Sequence, residues 1–379
     1  MSKSEVTPLK FESIRYDDVN DRVYVIDQTQ LPHQFVEREL HDLDGTCEAI
    51  SAMRVRGAPL IGVTAAFGVY LALRNPAMAS RTTLDEAVER LAATRPTAIN
   101  LQWALNKMVE ELAGSGDDEL GPNALAIALR LHAEDIAACA RLGDYGATLL
   151  QSLWVEKCRA AQQAGEAEPG QLNVLTHCNA GSLATVDWGT ALAVIYKAQE
   201  QGLPIHVWVD ETRPRNQGAS LTAWELARRG VKHTLIVDNA GGHLMQLGLV
   251  DCCIVGSDRT TRRGDVCNKI GTYLKALAAR DNGVPFYVAL PVSTIDFSLL
   301  DGMSEIPIEE RASDEVTHMT GRDAEGVERT IRLTPENTPV SNFGFDVTPA
   351  NLVSALITEY GVIEANEEAL AELRLKLSE

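Results

Sequence analysis

The chain has 379 residues, of which 45% are hydrophobic and 23% are charged, so its composition is that of a globular protein rather than of a disordered one. Lysine and arginine number 34 against 53 aspartates and glutamates, which gives a formal net charge of −19. We therefore expect no nucleic-acid coat and no polybasic membrane binder, because both need clustered cations. Any anion that the protein binds must meet a local positive site.

Neither a membrane span nor an extracellular scaffold is predicted. The longest nearly apolar run, Leu60 to Leu73, is shorter than the ~20 residues that a span needs and contains Gly62, Thr64 and Gly68. The opening residues show no apolar signal segment. The seven cysteines form no CxxC pair and the eight histidines no metal-binding spacing, so we expect reduced thiols in the cytoplasm and no metal site.

The first part of the chain predicts a mainly helical domain with a few short strands. Two β-rich runs come first, at Tyr24–Asp27 and Gln34–Arg38. From Thr46 to about Gln163, apolar residues recur at three- and four-residue spacing, which is typical of helices. The predicted helices cover residues 59–74, 83–93, 99–113, 122–142 and 146–163. We place a domain boundary in this helical region, which divides the chain into residues 1–145 and residues 146–379.

After Gln171 short β-rich runs alternate with helical segments, and this alternation predicts an α/β domain with a parallel sheet and crossover helices. The β-rich runs are Asn173–Thr176, Ile205–Val209, His233–Val237, Cys252–Val255 and Pro285–Ala289. The helical segments are 187–201, 219–229, 240–247 and 268–281. Residues 305–342 predict a small hairpin, and Thr348–Glu359 and Glu367–Leu377 predict closing helices.

Each β-rich run of this second part ends in a polar or glycine-rich turn. In open parallel sheets the ligand lies outside the carboxyl ends of the strands. These turns should therefore meet at one crevice. The five turn peptides are 176–181 (THCNAG), 209–214 (VDETRP), 237–241 (VDNAG), 256–259 (GSDR) and 289–294 (ALPVST).

Two residues in these turns are candidates for catalysis. Cys178 faces the start of a helix, where a thiolate is favoured, although a buried cysteine can also pack as an inert hydrophobe. Asp258 closes a β-rich run. Burial at that place can raise the pKa of its carboxyl group so that it acts as an acid near neutral pH. The alternative is a structural aspartate that pairs with an arginine. For Asp210 we favour a structural role, because Arg213 and Arg215 lie within pairing reach along the chain.

Three cations are predicted near helix starts. Arg56 stands just before a helix that starts near Pro59, Arg95 occupies a similar loop-to-helix corner, and Lys269 is placed at the start of another helix. A helix N-terminus with a nearby cation is suited to an anion such as a phosphate monoester. Each of the three charges, taken alone, can equally be a solvated or ion-paired surface group.

Several of these peptides occur together, in order, in one known family. The ordered set resembles the methylthioribose-1-phosphate isomerases, which belong to the superfamily of the regulatory subunits of translation initiation factor 2B. The resemblance extends from about residue 15 to residue 363. The motifs that carry it are 56–59 (RGAP), 95–97 (RPT), 175–181 (LTHCNAG), 210–215 (DETRPR), 217–219 (QGA), 221–225 (LTAWE), 264–273 (GDVCNKIGTY), 345–349 (FDVTP) and 360–363 (YGVI).

The resemblance implies an aldose–ketose isomerisation of 5-methylthio-ribose 1-phosphate to the ribulose 1-phosphate in methionine salvage. It also implies a Rossmann-like C-terminal domain, a homodimer, a small sugar phosphate as the ligand, and no metal or organic cofactor. By matching position, Cys178 is implied to stabilise the transition state and Asp258 to donate a proton. The residues implied to bind substrate are Arg56, Gly57, Ala58, Arg95, Gln217, Asn268 and Lys269.

The sequence departs from the family pattern at two places and leaves other functions open. Arg262 and Arg263 are added beside the predicted proton donor, and Ser220 stands where arginine is common. A related sugar such as 5-deoxyribose 1-phosphate is therefore a further candidate substrate. The alternatives are a non-catalytic regulatory subunit that binds a sugar phosphate or nucleotide, and a ribose 1,5-bisphosphate isomerase. An NAD-dependent oxidoreductase is disfavoured because no GxGxxG follows the first strand of the parallel part.

Overall fold

The computed structural model of the protein describes residues 11–95 and 98–377. Its first part is mainly helical with one small antiparallel sheet, as predicted. The sheet contains β1 (Ile14–Asp17), β2 (Arg22–Ile26) and β3 (Glu37–Leu40). The helices are α1 (Leu43–Ser51), α2 (Ala58–Leu73), α3 (Arg81–Thr94), α4 (Ile99–Leu112) and α5 (Asp117–Ala164).

Helix α2 is the centre of this part. Its sequence is apolar on every side, and almost all of its residues are buried. A helix without a polar face must be covered all round, and α1, α3, α4 and α5 pack against it. The covering helices fix the direction of α2, so its first turn is held where the second part of the chain begins.

Helix α5 is one element of 48 residues where two helices are predicted. At 1.5 Å per residue it is about 70 Å long. Its first half packs into the core around α2, through residues such as Leu120 and Leu131, and its second half packs into another core through Leu142 and Leu150. The predicted boundary between residues 145 and 146 falls inside this helix, and the division into two domains stays a prediction.

The second part is built on a seven-stranded sheet, and six neighbouring strands of it run parallel. The strand order is β16-β15-β10-β7-β4-β5-β6, with β16 antiparallel at one edge. The strands, in chain order with those of the smaller sheets, are β4 (Leu172–Thr176), β5 (Ile205–Asp210), β6 (Lys232–Ile236), β7 (Cys252–Val255), β8 (Arg259–Thr261), β9 (Val266–Lys269), β10 (Phe286–Ala289), β11 (Ile295–Asp296), β12 (His318–Arg322), β13 (Glu328–Arg332), β14 (Phe345–Thr348), β15 (Ala355–Thr358) and β16 (Gly361–Ile363).

Helices and smaller sheets surround this main sheet. Strands β11, β8, β9 and β14 form a four-stranded sheet in that order, and β12 pairs with β13 as the hairpin predicted within 305–342. The helices are α6 (Ala191–Glu200), α7 (Ala223–Arg228), α8 (Gly241–Gln246), α9 (Thr272–Asp281), α10 (Gly302–Glu305), α11 (Asp314–Thr317) and α12 (Glu367–Lys376). The predicted α/β fold class, with a helical first part and a Rossmann-like parallel sheet after it, is confirmed. In the described ranges no helix combines the length and apolarity that a membrane crossing requires.

Two predicted elements of the second part are wrong. The segment Thr348–Glu359 is not a helix: it ends β14, turns, and forms β15, which pairs with β10 on one side and β16 on the other. Periodicity cannot separate a short apolar run in a buried strand from a helix segment, and the run ALIT is such a case. The predicted helix 268–281 begins only at Thr272, because residues 268 and 269 belong to β9.

Candidate active site

The carboxyl ends of β4 and β7 and the first turn of α2 meet at one cavity of about 60 Å³. It opens toward a wider cavity of about 500 Å³, with which it shares Met53, Arg56 and Gln217. The candidate site residues that line the small cavity are Arg56, Gly57, Ala58, Arg95, Cys178, Gln217, Asp258 and Lys269, and Asn268 lines an adjoining cleft with Cys178 and Asp258. The structure thus brings together all nine residues singled out from the sequence.

Cys178 is held in an unusual backbone conformation directly after β4. Its φ angle is 66°, in the left-handed region that non-glycine residues seldom adopt. Its backbone N–H donates to Thr212 Oγ1 over 2.8 Å, and its carbonyl accepts from Thr222 Oγ1 over 2.6 Å. These two hydrogen bonds keep the strained turn in place, and they aim the side chain into the cavity. Strain of this kind is concentrated at functional sites.

The surroundings of Cys178 disfavour the thiolate that the sequence pattern favours. The side chain is buried, and burial raises the pKa of the thiol more than the nearby charges of Arg56 and Lys269 lower it. The neutral thiol is therefore the favoured form, not the thiolate predicted from the helix start. The sequence pattern located the residue but did not reveal how dry its surroundings are.

Asp258 lies at the same cavity and is partly buried. Burial raises the pKa of its carboxyl group, against the opposing influence of Lys269, Arg56 and Arg95. The predicted arginine pair is not what holds it, since the neighbouring Arg259 lies 3.7 Å from Asp296. A carboxyl group with a raised pKa keeps its proton at a higher pH than usual, and this is the property that a general acid needs.

Arg56 reaches the cavity through a chain of hydrogen bonds. Its Nη1 donates to Asn179 Oδ1 over 2.5 Å, and its Nη2 donates to the Asn179 carbonyl over 2.7 Å. The Asn179 amide in turn donates to Glu225 Oε1 over 2.8 Å. Glu225 is buried and also accepts from the backbone N–H groups of Ser182 and Leu183. Because each group in the chain is fixed by the next, the guanidinium has one orientation.

The first turn of α2 begins at the cavity. No side chain caps this end of the helix, and Gly57 and Ala58 line the cavity wall. Gly57 has a φ of 97°, and a Cβ there would lie 2.5 Å from the Ala184 backbone, so no other residue fits. An uncapped helix N-terminus carries partial positive charge and binds anions.

Arg95 and Lys269 add two more cations; Arg95 lies between α3 and α4 as expected, whereas Lys269 differs from the prediction. Arg95 follows the end of α3 and pairs with Glu309 over 3.1 Å. Lys269 ends β9 and does not start a helix; its Nζ donates to the Gly344 carbonyl over 2.8 Å and lies 4.5 Å from the centre of the Phe345 ring. Burial lowers the pKa of Lys269. The three predicted cations share one cavity, although only Arg56 precedes a helix directly.

Two neutral amides complete the set. Gln217 is buried, and among the described residues its Oε1 has no hydrogen-bond partner. A buried polar atom without a partner costs free energy and is suited to meet a ligand. Asn268 is also buried, and its amide donates to Thr272 Oγ1 over 3.0 Å. Both residues lie in peptides that carried the family resemblance, Asn268 on β9 and Gln217 just before the helical segment that leads into α7.

The structure changes the reading of the residues near the site that were assigned from sequence. Asp210 does not pair with Arg213 or Arg215; its Oδ2 lies 3.1 Å from Lys275 Nζ and 2.9 Å from His177 Nδ1. Neither arginine is available to it. Arg215 pairs with Glu315, and Arg213 donates to the Val316 carbonyl.

One group of side chains in the described ranges has metal-ligand spacing: His177, Asp210 and Asp238, whose ligand atoms lie within 4.8 Å of one another. Protein groups already occupy these atoms. The Lys275 ammonium is close to Asp210, and the Asp238 carboxylate accepts from the backbone N–H groups of Thr212 and Arg213. A metal ion would have to displace a cation and two hydrogen bonds, so the donor set does not fit one.

The two added arginines lie outside the cavity. Arg262 is 42% exposed and its Nε lies 3.9 Å from Glu367, and neither Arg262 nor Arg263 lines the cavity or the adjoining cleft. The groups whose charges act on Asp258 are Lys269, Arg56, Arg95 and Glu309. Arg262 and Arg263, the two departures from the family pattern, therefore lie outside the cavity that Asp258 lines.

Three residues of the site were not found by the sequence reasoning. Glu225 anchors Asn179, Glu309 pairs with Arg95, and Phe345 lies against Lys269. Each comes from a segment far away along the chain from the residue that it contacts. Glu225 and Phe345 lie in motifs that carried the family resemblance, and that was the available signal for them; Glu309 had none.

Comparison with known proteins places the chain in a family. The model of the initiation factor 2 subunit family matches residues 54–365. A methylthioribose-1-phosphate isomerase of Rhodospirillum rubrum is 57% identical over 351 residues, which cover 93% of this chain and 88% of the relative. The chain belongs to the methylthioribose-1-phosphate isomerase family. Another member, from Acidiphilium cryptum, is 56% identical over 98% of this chain and 97% of its own length.

Solved structures agree with this family. The 5-methylthioribose 1-phosphate isomerase of Pyrococcus horikoshii OT3 superposes with a TM-score of 0.80 at 38% identity, and the match covers 99% of each chain. A protein described as translation initiation factor eIF-2B, subunit delta, from A. fulgidus has a TM-score of 0.76 at 39% identity, covering 97% of this chain and 100% of its own. The fold is thus shared by family members with an isomerase name and by one with a translation-factor name.

Proposed function

We propose that the protein isomerises 5-methylthio-ribose 1-phosphate to 5-methylthio-ribulose 1-phosphate, as a step of methionine salvage. The observation that carries the proposal is the meeting of Cys178 and Asp258 at one cavity that is also lined by three cations. A protein that only bound a sugar phosphate would need the cations but not the thiol and the acid. The names of the relatives, at up to 58% identity, support the same activity.

The phosphate group is assigned to the cationic side of the cavity. Arg56, Arg95 and Lys269 supply positive charge there, and the first turn of α2 adds its N–H groups. Glu309 now pairs with Arg95, so an arriving phosphate would compete with that carboxylate for the guanidinium. An acidic protein can bind an anionic substrate in this way, because the local charge at the site is opposite to the net charge.

Asp258 is proposed to open the sugar ring. A sugar 1-phosphate has no free aldehyde, since its anomeric carbon carries the phosphate, and the ring must open while the phosphate stays. The protonated form of Asp258, which the raised pKa favours, gives its proton to the ring oxygen. The bond between that oxygen and C1 then breaks with its electron pair going to the oxygen, which leaves C1 as an oxocarbenium ion shared with its phosphate oxygen and the aspartate as a carboxylate. Lys269 and Arg56, whose charges act on Asp258, stabilise the anion that forms.

Cys178 is proposed to assist the transfer of hydrogen from C2 to C1. A base can take the hydrogen as a proton, or it can move directly as a hydride. The raised pKa of the thiol favours a neutral Cys178 that donates a hydrogen bond to developing charge, because a resting thiolate base is disfavoured there. Ionisation of Asp258 in the preceding step strengthens this preference, since its negative charge raises the pKa of Cys178 further.

One wall of the cavity favours an apolar group at C5 of the sugar. The apolar part of the cavity lining is Met53, Ile61, Ile306, Pro307 and Phe345. A methylthio or methyl group can be buried against them at a gain of about 25 cal/mol per Å² of apolar surface. A second phosphate, as in ribose 1,5-bisphosphate, would lose its hydration against the same wall without a new partner.

Purified protein, without added metal or cofactor, is expected to convert the two sugars that carry an uncharged C5 group. Phosphorus NMR would follow methylthioribose 1-phosphate, 5-deoxyribose 1-phosphate and ribose 1,5-bisphosphate in parallel, with heat-inactivated protein as the control. We expect the methylthio sugar to be converted with the highest kcat/KM and the bisphosphate at least about 10²-fold more slowly, since it leaves a charge unpaired. If well-folded protein converted none of the three, the regulatory binding function would replace this proposal.

We also propose a homodimer formed through an apolar face on α8 and α9. Four leucines of this face, Leu247, Leu249, Leu274 and Leu277, are between 39% and 64% exposed. Leu274 and Leu277 lie on α9, and Leu247 and Leu249 directly follow α8, which packs against α9. Large exposed apolar patches on soluble proteins mark interaction sites. A second copy of the chain would cover this apolar face.

Leu274→Glu is expected to convert the dimer to a monomer. The change puts a charge at the most exposed leucine of the face, and burying that charge in a dimer is costly. Light scattering coupled to gel filtration would give the mass, with Leu375→Glu on α12 as the control because Leu375 is 68% exposed and lies outside the face. A wild-type protein that runs as a monomer, or a Leu274→Glu variant that stays dimeric, would contradict the proposal.

The cytoplasm is the proposed location. All seven cysteines are unpaired in the structure, and this agrees with a reducing compartment.

Residues 1–145 and 146–379 are proposed as the two domains, with the change of hydrophobic core between Ile136 and Leu142 as the supporting observation.

A further inference from the structure

The residue before Cys178 is a buried histidine with two acceptors. His177 is 1% exposed, and both of its ring nitrogens have partners. Nδ1 lies 2.9 Å from Asp210 Oδ2, and Nε2 lies 2.8 Å from the carbonyl oxygen of Ile270. A backbone carbonyl can only accept a hydrogen bond, so Nε2 must carry a proton.

The second nitrogen must carry a proton as well. Asp210 Oδ2 also receives Lys275 Nζ at 3.1 Å, an arrangement that favours the ionised carboxylate, which has no proton to donate. Nδ1 is then the donor in its contact with Asp210. With two donor nitrogens the ring is an imidazolium, fixed between β5 and the turn that follows β9.

Charged groups from several elements face the ring. Asp210 faces it from β5, Asp238 lies 4.0 Å from Nδ1, Lys275 approaches from α9, and Asp346 faces it from β14. The charge of His177 acts on Asp346, whose carboxylate accepts from the backbone N–H groups of Gly271 and Tyr273. Two cations and three carboxylates therefore surround one buried point. Gly271 leaves room for the ring, since a Cβ there would lie 3.1 Å from it.

The position of His177 connects two halves of the site. Cys178 follows it directly along the chain, while Ile270 follows Lys269 and Asn268 in the other half. We infer that the His177 imidazolium, held by Asp210 and Ile270, is a positioning residue that fixes Cys178 against the turn carrying Asn268 and Lys269. It does not line the small cavity, and although it borders the adjoining cleft its side chain is fully buried, so it acts through its neighbours. The inference rests on the proposed function for its effect on turnover.

The protonation state can be measured without any substrate. Protein labelled with nitrogen-15 at its eight histidines would be studied by NMR at neutral pH, and the His177 signals would be assigned by their loss in His177→Gln. We expect imidazolium-type shifts for both ring nitrogens, each coupled to a slowly exchanging proton. A neutral tautomer, with one unprotonated nitrogen, would overturn the inference.

The positioning role is tested by reactivity and by turnover. His177→Gln should change the rate at which iodoacetamide alkylates Cys178, followed by mass spectrometry, while the control His233→Gln on β6 should not. It should also lower kcat by about 10²-fold, because a displacement of about 1 Å costs that much, with KM changed by less than about 3-fold. An unchanged alkylation rate in a folded His177→Gln protein would overturn the positioning role, even if wild-type protein proved inactive on every sugar phosphate.

Asp210→Asn gives a second variant that keeps the shape of the network. Its loss of kcat should match that of His177→Gln, and the double variant should lose no more than either single one, because residues that act as a unit are not additive. Thermal unfolding and circular dichroism would establish that each variant is folded at the assay temperature. Multiplicative losses in the double variant would show that the two residues act separately and would overturn the inference.

Discussion

Cys178→Ala should abolish measurable turnover, with a loss in kcat of about 10³-fold or more, within the range found for groups that stabilise a transition state. The thiol is buried at the cavity, and its backbone is held by Thr212 and Thr222 through main-chain contacts that alanine preserves. We therefore expect the fold and the affinity for substrate to stay close to wild type. Turnover by phosphorus NMR and binding by calorimetry would measure the two effects separately.

The control for this prediction is Cys47→Ala, a change of the same chemistry on α1 at a partly exposed position outside the cavity. It should leave kcat and KM unchanged. Wild-type turnover by Cys178→Ala would return Cys178 to the role of an inert core residue. Cys178→Ser separates two functions of the thiol: a serine that still donates a hydrogen bond should retain part of the activity, whereas the loss of a base should not be rescued.

Asp258→Asn should lower kcat by about 10²- to 10⁴-fold, the contribution of a positioned general acid. The amide has the same shape but cannot supply a proton to the ring oxygen. The pH profile gives a further signature. Because the acid form is needed and its pKa is raised by burial, kcat/KM of the wild type should fall as the pH increases through that raised pKa. The residual activity of the variant should lack this fall.

Asp258→Asn should keep or raise the melting temperature although it lowers kcat. A carboxyl group whose pKa is raised on folding stabilises the folded state below its unfolded pKa, and this contribution is lost as the pH rises through the folded pKa. At a pH above the folded pKa the carboxylate is a cost that asparagine removes, so at that pH Asp258→Asn should melt at a temperature equal to or above that of the wild type. Asp144→Asn, at an exposed position on α5, is the control. A variant with near-normal turnover would make Asp258 structural.

The sequence located the site better than it described the site's interior. Strand ends of a parallel sheet converge for geometric reasons, so a polar turn after a β-rich run could be assigned to the crevice without knowing any contact. Cys178 and Asp258 were found in this way. What the pattern cannot contain is the degree of burial, which raises the pKa of the Cys178 thiol and so disfavours the thiolate expected there.

The errors have one physical origin, which is that partners come from distant segments. Asp210 was matched with arginines close to it in the chain, but the folded protein pairs it with His177 and Lys275. Lys269 was assigned to a helix because helical spacing follows it, yet β14 pairs with residues 266–269 and extends the strand. In both cases tertiary contacts decided between local alternatives that the sequence alone left nearly equal.

The 48-residue helix α5 has a consequence for how the protein loses its structure. Leu120 and Leu150 lie on one continuous helix but in different hydrophobic cores. When either core unfolds, half of the helix therefore loses the side chains that pack against it. A bare half-helix in water is marginal, and the remaining half then loses the support of its own continuation. The two cores are thereby joined into one cooperative folding unit, and a ligand that tightens one of them also protects the other.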